Sequence, residues 1–260
     1  MGLPCGTFSR RYEEDVAIVR TRWQWIMMLA GVALLFGVSL ALPRIWLIWL
    51  IIVGIYAVGT LGLHVITGLC GMFSMGHAAF MAVGAYTTAV LSANYGLSPW
   101  LSLPISAAAA GVAGLIFAGP AARIKGFYLV VSSIAAQYVV VWGLKQLDWT
   151  GGTDGIRVPL LPGIQSGGSD DYLHFWWLTL AIVVLSIYAV KNIQRMSTGR
   201  QFIAVRDNDL AARVMGINVF RTKLKAFFIG SCLAGVAGWL WAHFYHWITP
   251  DQFSMMMLFW

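Results

Sequence analysis

The sequence predicts an all-α fold, namely a polytopic α-helical membrane protein with about eight transmembrane helices. Of its 260 residues, 59% are hydrophobic and 10% are charged, and the mean hydropathy is +0.75. A soluble domain cannot bury so large an apolar fraction. The charged residues are gathered into clusters, and the apolar blocks between these clusters have roughly the 20 residues that a helix needs to cross a bilayer. The chain is therefore expected to cross the membrane repeatedly.

Seven helices and the start of an eighth are predicted in order along the chain. Each corresponds to one apolar block, and the predicted bounds are 25–42, 45–66, 73–93, 100–119, 127–147, 173–191 and 225–246. The eighth block begins near Ser254 and stops with the chain. Because half a crossing leaves backbone groups without hydrogen bonds in lipid, we expect the chain to be truncated at its C-terminus. Residues 1–24 would form an N-terminal tail, and residues 25–260 would form the transmembrane domain.

The uneven distribution of basic residues predicts the orientation. The loop at 192–224, together with the two lysines that flank it, contains eight Lys and Arg residues, whereas the loop at 148–172 contains one, Arg157, and four aspartates. Since cytoplasmic loops are enriched in Lys and Arg, we expect the first loop to be cytoplasmic and the second to be periplasmic. Counting crossings back places Arg123, Lys125 and the N-terminal tail in the cytoplasm. The same bias accounts for the formal net charge of +7, so membrane lipid is an expected partner and nucleic acid is not.

Small residues recur every four positions on several predicted helices. Lipid gives helices no hydrophobic reason to associate, so close approach through small residues must hold them together. These positions are therefore interpreted as packing faces. They are Gly230, Ala234, Gly238 and Ala242; Ala110, Gly114 and Ala118; Ala78 and Ala82; and Ala85 and Ala89.

The stretch Gly68–Tyr86, "GLCGMFSMGHAAFMAVGAY", is unusual for a membrane-spanning segment. Its glycines, including Gly71 and Gly76, weaken a helix by roughly 1 kcal/mol each relative to Ala, and Ser74 and His77 place polar groups at membrane depth. Such a segment is a candidate broken or re-entrant helix, which is tolerated only where protein or a water-filled cavity surrounds it. The alternative is a tightly packed helix in which His77 bonds a neighbouring carbonyl. Composition alone does not separate the two.

The basic loop contains the pattern of a short amphipathic helix. Its N-terminus could be capped by one of three residues, Asp207, Asn208 or Asp209. Its apolar stripe would consist of Leu210, Val214 and Met215. Gly216 is placed for the C′ position. Such a helix suits a groove on a partner protein, or else it lies on anionic lipid headgroups, which the basic flanks would favour.

Three motifs together resemble the inner-membrane permeases of branched-chain amino-acid ABC transporters, the LivM-like subunits. The motifs are "GLCGMFSMGHAAFMAVGAYTTAVL", "TGGTDGI" and "RQFIAVRDNDLAARVMGINVFRTKLKAFFIGSCLAGVAG". They occur in the family's order and spacing, and the resemblance runs from about Gly59 to Phe253. It implies that residues 25–260 are a permease domain that translocates branched-chain or other hydrophobic amino acids across the bacterial inner membrane.

The resemblance also implies the partners and the energy source. These would be a second homologous permease subunit, two cytoplasmic ATPase subunits and a periplasmic solute-binding protein. The sequence lacks the Gly-x-x-x-x-Gly-Lys-Ser/Thr phosphate loop. We therefore expect a transport subunit that is not an enzyme and has no cofactor of its own, with ATP and Mg bound by the partner ATPases.

The resemblance assigns two groups of site residues. Ala211, Ala212 and Gly216 match the spacing through which importer permeases meet their ATPases, although Leu210 stands where the pattern has Glu. The implied coupling residues are Arg206, Asp207, Asn208, Asp209, Leu210, Ala211, Ala212, Arg213 and Gly216. The implied residues of the translocation path are Gly71, Ser74, Gly76 and His77.

Several other functions compete with this interpretation. Within the family, the substrate could be urea, a short amide or an aromatic acid. A stand-alone channel or a secondary transporter would need no ATPase, and ion-coupled carriers more often bury charged residues in their helices. Apart from Lys145 at a helix end, no charged residue lies deep in a predicted span. His243 and His246 have only Asp251 as a nearby acid, so we interpret them as an interfacial pair and not as a metal site.

Overall fold

A computed structural model describes residues 22–40, 42–121, 127–164 and 171–253, and in these residues the fold is helical. The α-helices in order are α1 (Arg22–Ser39), α2 (Arg44–Leu63), α3 (His77–Ala93), α4 (Pro99–Ala121), α5 (Phe127–Gln146), α6 (Asp171–Arg195), α7 (Ser197–Asp207), α8 (Asp209–Val214) and α9 (Val219–Tyr245). A π-helical turn, His64–Leu69, continues α2, and two short strands are β1 (Ile156–Arg157) and β2 (Trp247–Ile248). Short 3₁₀ turns span Asp148–Thr150 and Pro250–Phe253. The predicted all-α polytopic fold is confirmed.

Five helical stretches of the described residues are long and apolar enough to cross a membrane. They are Arg44–Leu69, Pro99–Pro120, Tyr128–Gln146, Asp171–Arg195 and Val219–Tyr245. Helix α3 is a shorter apolar helix of 17 residues. The predicted segment near Ser254 and most of the predicted tail at 1–24 lie outside the described residues, as do Arg123 and Lys125. The count of about eight crossings therefore stays a prediction.

The chain forms two compact units, and α1 belongs to the first, which ends at Arg44. Helix α1 has 18 residues and no charged residue beyond Arg22. The second unit begins at Ile45 and contains the remaining elements.

Helix α9 is the centre of the second unit and packs against α3 and α4. Its contact with α3 is so close that a Cβ atom on Gly84 would lie 2.5 Å from the Cα atom of Gly235. A Cβ on Gly238 would likewise clash with the carbonyl of Met81. The predicted packing faces are confirmed, since their alanines are buried: Ala78, Ala82, Ala85, Ala89, Ala110, Ala118, Ala234 and Ala242. Small side chains thus provide the backbone approach that a lipid-embedded bundle needs.

Helix α9 begins earlier than predicted, at Val219 instead of residue 225. Arg221 and Lys223, which fall within the predicted loop at 192–224, lie in the first two turns of this helix. Two interactions account for the difference. The side chain of Asn218 caps the helix by accepting from the backbone N–H of Arg221 at 3.0 Å, and Lys223 is paired with a carboxylate of the preceding helix.

A strand pair ties the loop after α5 to the segment after α9. Strands β1 and β2 are antiparallel, with Ile156 opposite Ile248. The backbone N–H of Val158 donates to the carbonyl of His246 at 2.9 Å, and His246 ends α9 in the left-handed conformation. Lys145 at the end of α5 forms a 2.6 Å ion pair with Asp251. The two loops therefore form one structured cap at this end of the second unit.

Candidate functional site

A helix break, one of the two alternatives for this stretch, lies at residues 70–76, between the π-helical turn and α3. Gly71 has a φ of +72°, a conformation that favours glycine. The conformation of Gly71 lets the N–H of Met72 donate to the carbonyl of Ile66 at 3.1 Å. This bond satisfies a carbonyl group near the end of the π-helical turn. Helix α3 starts four residues later than predicted, at His77, and the backbone of α5 lies so close to Gly76 that a Cβ there would clash with the carbonyl of Ser133. We call residues 70–76 the break.

A cavity of about 210 Å³ lies beside the break. Its walls carry three serines, Ser74, Ser132 and Ser133, and otherwise glycine, proline and apolar side chains. Ser74 is only 6% exposed, and its hydroxyl has no hydrogen-bond partner among the described residues. Ser133 accepts a 2.9 Å hydrogen bond from the backbone N–H of Met75. We call this space the serine cavity. It offers hydroxyl groups in an otherwise apolar, uncharged wall.

His77 is buried and connects the start of α3, directly after the break, to α2. Its Nε2 atom lies 3.0 Å from the carbonyl oxygen of Gly59 in α2. This is the contact that the packing alternative predicted for His77. Of the four predicted path residues, the structure thus places Ser74 and Gly76 at the serine cavity, while His77 contacts α2 and Gly71 faces α7.

The predicted short helix of the basic loop is present as α8. Asn208 is the cap among the three candidates, because its side-chain oxygen accepts from the N–H groups of Leu210 at 2.9 Å and Ala211 at 3.1 Å. Gly216 follows the helix with a φ of +81°, as the C′ prediction requires. A second helix, α7, precedes it and was not predicted.

Helix α8 has one buried side and one exposed apolar side. Ala212 is 3% exposed and faces the protein. Leu210, Val214 and Met215 are 68%, 87% and 81% exposed, so the predicted apolar stripe lies on the outer surface. The carboxylate of Asp209 forms a 3.3 Å ion pair with Lys223 of α9, and both side chains are largely buried. We call Leu210, Val214 and Met215 the outer stripe.

Arg206 connects this loop to the break. Its Nη1 donates to the carbonyl of Gly68 at 2.9 Å, and its Nε donates to Asp207 at 3.1 Å. A Cβ atom on Gly71 would lie 2.7 Å from the Cγ of Arg206, so the break and α7 are in direct contact there. A cleft of about 390 Å³ lies between the loop and the break, lined by residues of both. The structure therefore brings together two groups that the sequence analysis treated as separate.

Three contributors to the site were missed from the sequence: Ser132, Ser133 and Lys223. The two adjacent serines in the apolar helix α5 were a visible signal, since Ser is enriched where membrane helices contact one another. Lys223 carried no such signal, because it was one of eight basic residues in and beside the loop.

Comparison with known proteins places the chain in a family. Residues 45–260 match the family described as branched-chain amino acid transport system / permease component. The chain is similar to the high-affinity branched-chain amino acid transport system permease protein LivM of Escherichia coli strain K12, with 34% identity over 77% of this chain and 53% of that protein. It is 28% identical to the probable LivM of Methanocaldococcus jannaschii, over 50% of this chain and 38% of that protein.

A relative with a different named substrate is the guanosine ABC transporter permease protein NupQ of Bacillus subtilis, with 23% identity over 68% of this chain and 63% of that protein. The chain spans about half the length of the LivM protein from Escherichia coli. No solved structure matches it. With the family match over residues 45–260 and, in the part of the chain that the structure describes, five apolar helices long enough to span a membrane, the chain belongs to the family of branched-chain amino-acid transport system permease components.

Proposed function

We propose that this chain is a membrane-spanning subunit of an ABC importer that carries branched-chain or other hydrophobic amino acids across the bacterial inner membrane. The family and the similarity to LivM proteins support the transport role. The observation that carries the proposal is the outer stripe. Three exposed apolar side chains stand on a helix that is capped by Asn208 and ion-paired to α9, so the helix presents a fixed apolar surface.

A fixed amphipathic helix of this kind suits a groove on a partner protein. We assign that groove to the cytoplasmic ATPase subunits, because the sequence has no phosphate loop and energy must come from a partner. The chain is thus a transport component without an ATP site. A second homologous permease subunit and a periplasmic solute-binding protein complete the proposed assembly. In this assembly α8 lies on the cytoplasmic side, together with the N-terminus, and β1 lies on the periplasmic side.

The serine cavity supports a substrate without a net charge. Its described walls contain no charged side chain, and the hydroxyl of Ser74 is available within it. Because an uncharged wall does not compensate a net charge, the cavity fits the side chain of a hydrophobic amino acid better than an ion. We propose that Ser74 and Gly76 form part of the translocation path and that Gly71 and His77 hold the break in place.

Reconstituted uptake tests the proposal. The permease is purified with its ATPases and second permease, placed in proteoliposomes with the binding protein, and supplied with radiolabelled leucine. We expect uptake that requires ATP on the side of α8. Uptake without the ATPases would instead indicate a channel or a secondary transporter.

Competition by unlabelled solutes tests the substrate class. We expect valine and isoleucine to compete with leucine, and urea and guanosine not to compete. Competition by guanosine alone would place the chain with the nucleoside permeases and would contradict the proposed substrate class.

A further inference from the structure

We propose that the break is the moving gate of the translocation path and that Arg206 is the positioning residue that ties this gate to α8. The inference rests on the proposed function, since it assumes that a partner ATPase moves α8. It concerns residues on two helices that are far apart in sequence but in contact.

The contact between Arg206 and the break is electrostatic and close. The carbonyl of Gly68 lies in the last turn of the π-helical segment, where carbonyl groups carry a partial negative charge. A guanidinium that donates to such a carbonyl forms a charge-assisted hydrogen bond. Gly71 has no room for a side chain next to Arg206, so the fit depends on glycine.

Arg206 is also close to α8 along the chain. It lies in the last turn of α7, and only Asp207 separates it from the cap residue Asn208. Asp207 accepts a hydrogen bond from the guanidinium of Arg206, which fixes the direction of that group. A displacement of α8 therefore reaches Arg206 through two residues of chain.

The break separates two spaces. Ser74 and Gly76 line the serine cavity, whereas Met72 lines the cleft on the side of α7 and α8. Helix α5 also borders both spaces. Its Leu129 lines the cleft, and its Ser132, one turn later, lines the serine cavity. Met72 and Leu129 are both buried. We infer that these two apolar side chains form the barrier between the two spaces.

The break has fewer regular backbone hydrogen bonds than the helices on either side of it. Helix α3 is fixed to α9 by the close approach of Gly84 to Gly235. Residues 70–76 lack the regular hydrogen bonds of a helix, so local rearrangement costs less there than in the helices on either side. A displacement of Arg206 would thus shift Met72 relative to Leu129 while α3 stays in place.

The experiment measures solute transported per ATP hydrolysed in the reconstituted complex. We expect Arg206→Gln to lower this ratio by at least about fivefold, the lower end of typical coupling between two sites, while ATP hydrolysis continues. Arg206→Lys keeps the charge and should give an intermediate ratio. Gly71→Ala displaces the arginine without removing its charge and should act in the same direction. The control is Arg221→Gln, which removes an exposed cation from the first turn of α9 and should leave the ratio unchanged.

The outcomes separate this inference from the proposed function. If the wild-type complex shows ATP-driven uptake and Arg206→Gln has the same transport per ATP, the inference is wrong and the proposed function stands. If Arg206→Gln lowers only the amount of assembled complex, with the ratio intact, Arg206 is a structural residue and the inference is again overturned. If the wild-type complex shows no ATP-driven uptake, the proposed function itself fails.

Discussion

The guanidinium of Arg206 donates a 2.9 Å hydrogen bond to the carbonyl of Gly68, a residue 138 positions away in the chain. One partner lies at the end of a helix in the basic loop, and the other lies just before the break in a membrane-spanning segment. The contact therefore joins the surface that we assign to the ATPase with the segment that borders the serine cavity. A permease driven by a partner needs such a connection, because only a structural element that responds to both sites can couple them.

The outer stripe should be needed for coupling and not for folding. Replacing Leu210 and Val214 together by serine removes two exposed apolar side chains from the surface of α8. We expect ATP-driven uptake and co-purification of the ATPases to fall at least about tenfold, since the few residues that dominate an interface each cost more than about 1 kcal/mol when truncated. The matched control is Met196→Ser, which changes an exposed apolar residue outside α8. This variant should retain both ATP-driven uptake and co-purification of the ATPases. Full uptake by the double variant would exclude α8 as the docking helix.

The ion pair between Asp209 and Lys223 should hold α8 on α9. Lys223→Met leaves a largely buried carboxylate without this partner, and we expect a clear fall in thermal stability. Adding Asp209→Asn removes the charge and should restore part of the loss. A double-mutant cycle on thermal unfolding in detergent should give an interaction of about 1 to 3 kcal/mol. An interaction near zero would show that the pair does not fix α8.

Close backbone packing between α3 and α9 predicts opposite effects for two glycine substitutions. Gly238→Ala forces a Cβ against the carbonyl of Met81, and we expect it to cost about 1 to 3 kcal/mol. Gly143→Ala in α5 meets no atom within 4 Å and should be neutral or stabilise by about 0.4 to 1 kcal/mol. The melting temperature and the yield of folded protein after heating measure both. Equal melting temperatures would mean that the helices are less tightly packed than described.

The orientation of the chain in the membrane can be measured with single cysteines. One cysteine is placed on each predicted side of the membrane in a variant that has no other cysteine. Asp154 is exposed in the loop before β1, and Ser197 is exposed at the start of α7. An impermeant thiol reagent added to whole cells should label Asp154→Cys and leave Ser197→Cys unlabelled, because the basic loop is expected inside. After the cells are opened, both should react. Labelling of Ser197→Cys alone in whole cells would reverse the proposed orientation.

Local signals in the sequence predicted local structure well. The glycines around Ser74 made a break one of two candidates, and the cap candidates around Asn208 indicated α8, because capping and turn chemistry depend on residues within one helical turn. The outer stripe was likewise visible from spacing alone. The same local reasoning left His77 undecided between path and packing, because its hydrogen bond to Gly59 depends on how α2 and α3 meet.

The contacts between distant segments could not be predicted from the sequence. Arg206 was named as a coupling residue, but its bond to Gly68 arises only once α7 folds against the π-helical turn. The start of α9 was placed too late for a related reason. A cluster of Lys and Arg normally indicates a solvated loop, yet here Lys223 is buried by pairing with Asp209, a residue of a helix that the charge pattern alone does not position.

The central claim is that ATP binding by a partner moves the break, and thiol reactivity at position 74 tests it most directly. Ser74 and Ser92 are equally buried, at 6% exposure, and in each the hydroxyl lacks a hydrogen-bond partner within the described part of the chain. Ser74 lies in the break, whereas Ser92 lies in the last turns of α3. They therefore form a matched pair of reporter sites. Each is changed to cysteine in a chain whose three native cysteines are replaced by alanine.

Labelling rates with a small thiol reagent are then measured in the reconstituted complex, without nucleotide and with a non-hydrolysable ATP analogue. We expect the rate at Ser74→Cys to change at least about fivefold between the two states, in line with typical coupling between sites, and the rate at Ser92→Cys to stay constant. An unchanged rate at position 74, in a complex that performs ATP-driven uptake, would contradict the claim that the break is the moving part.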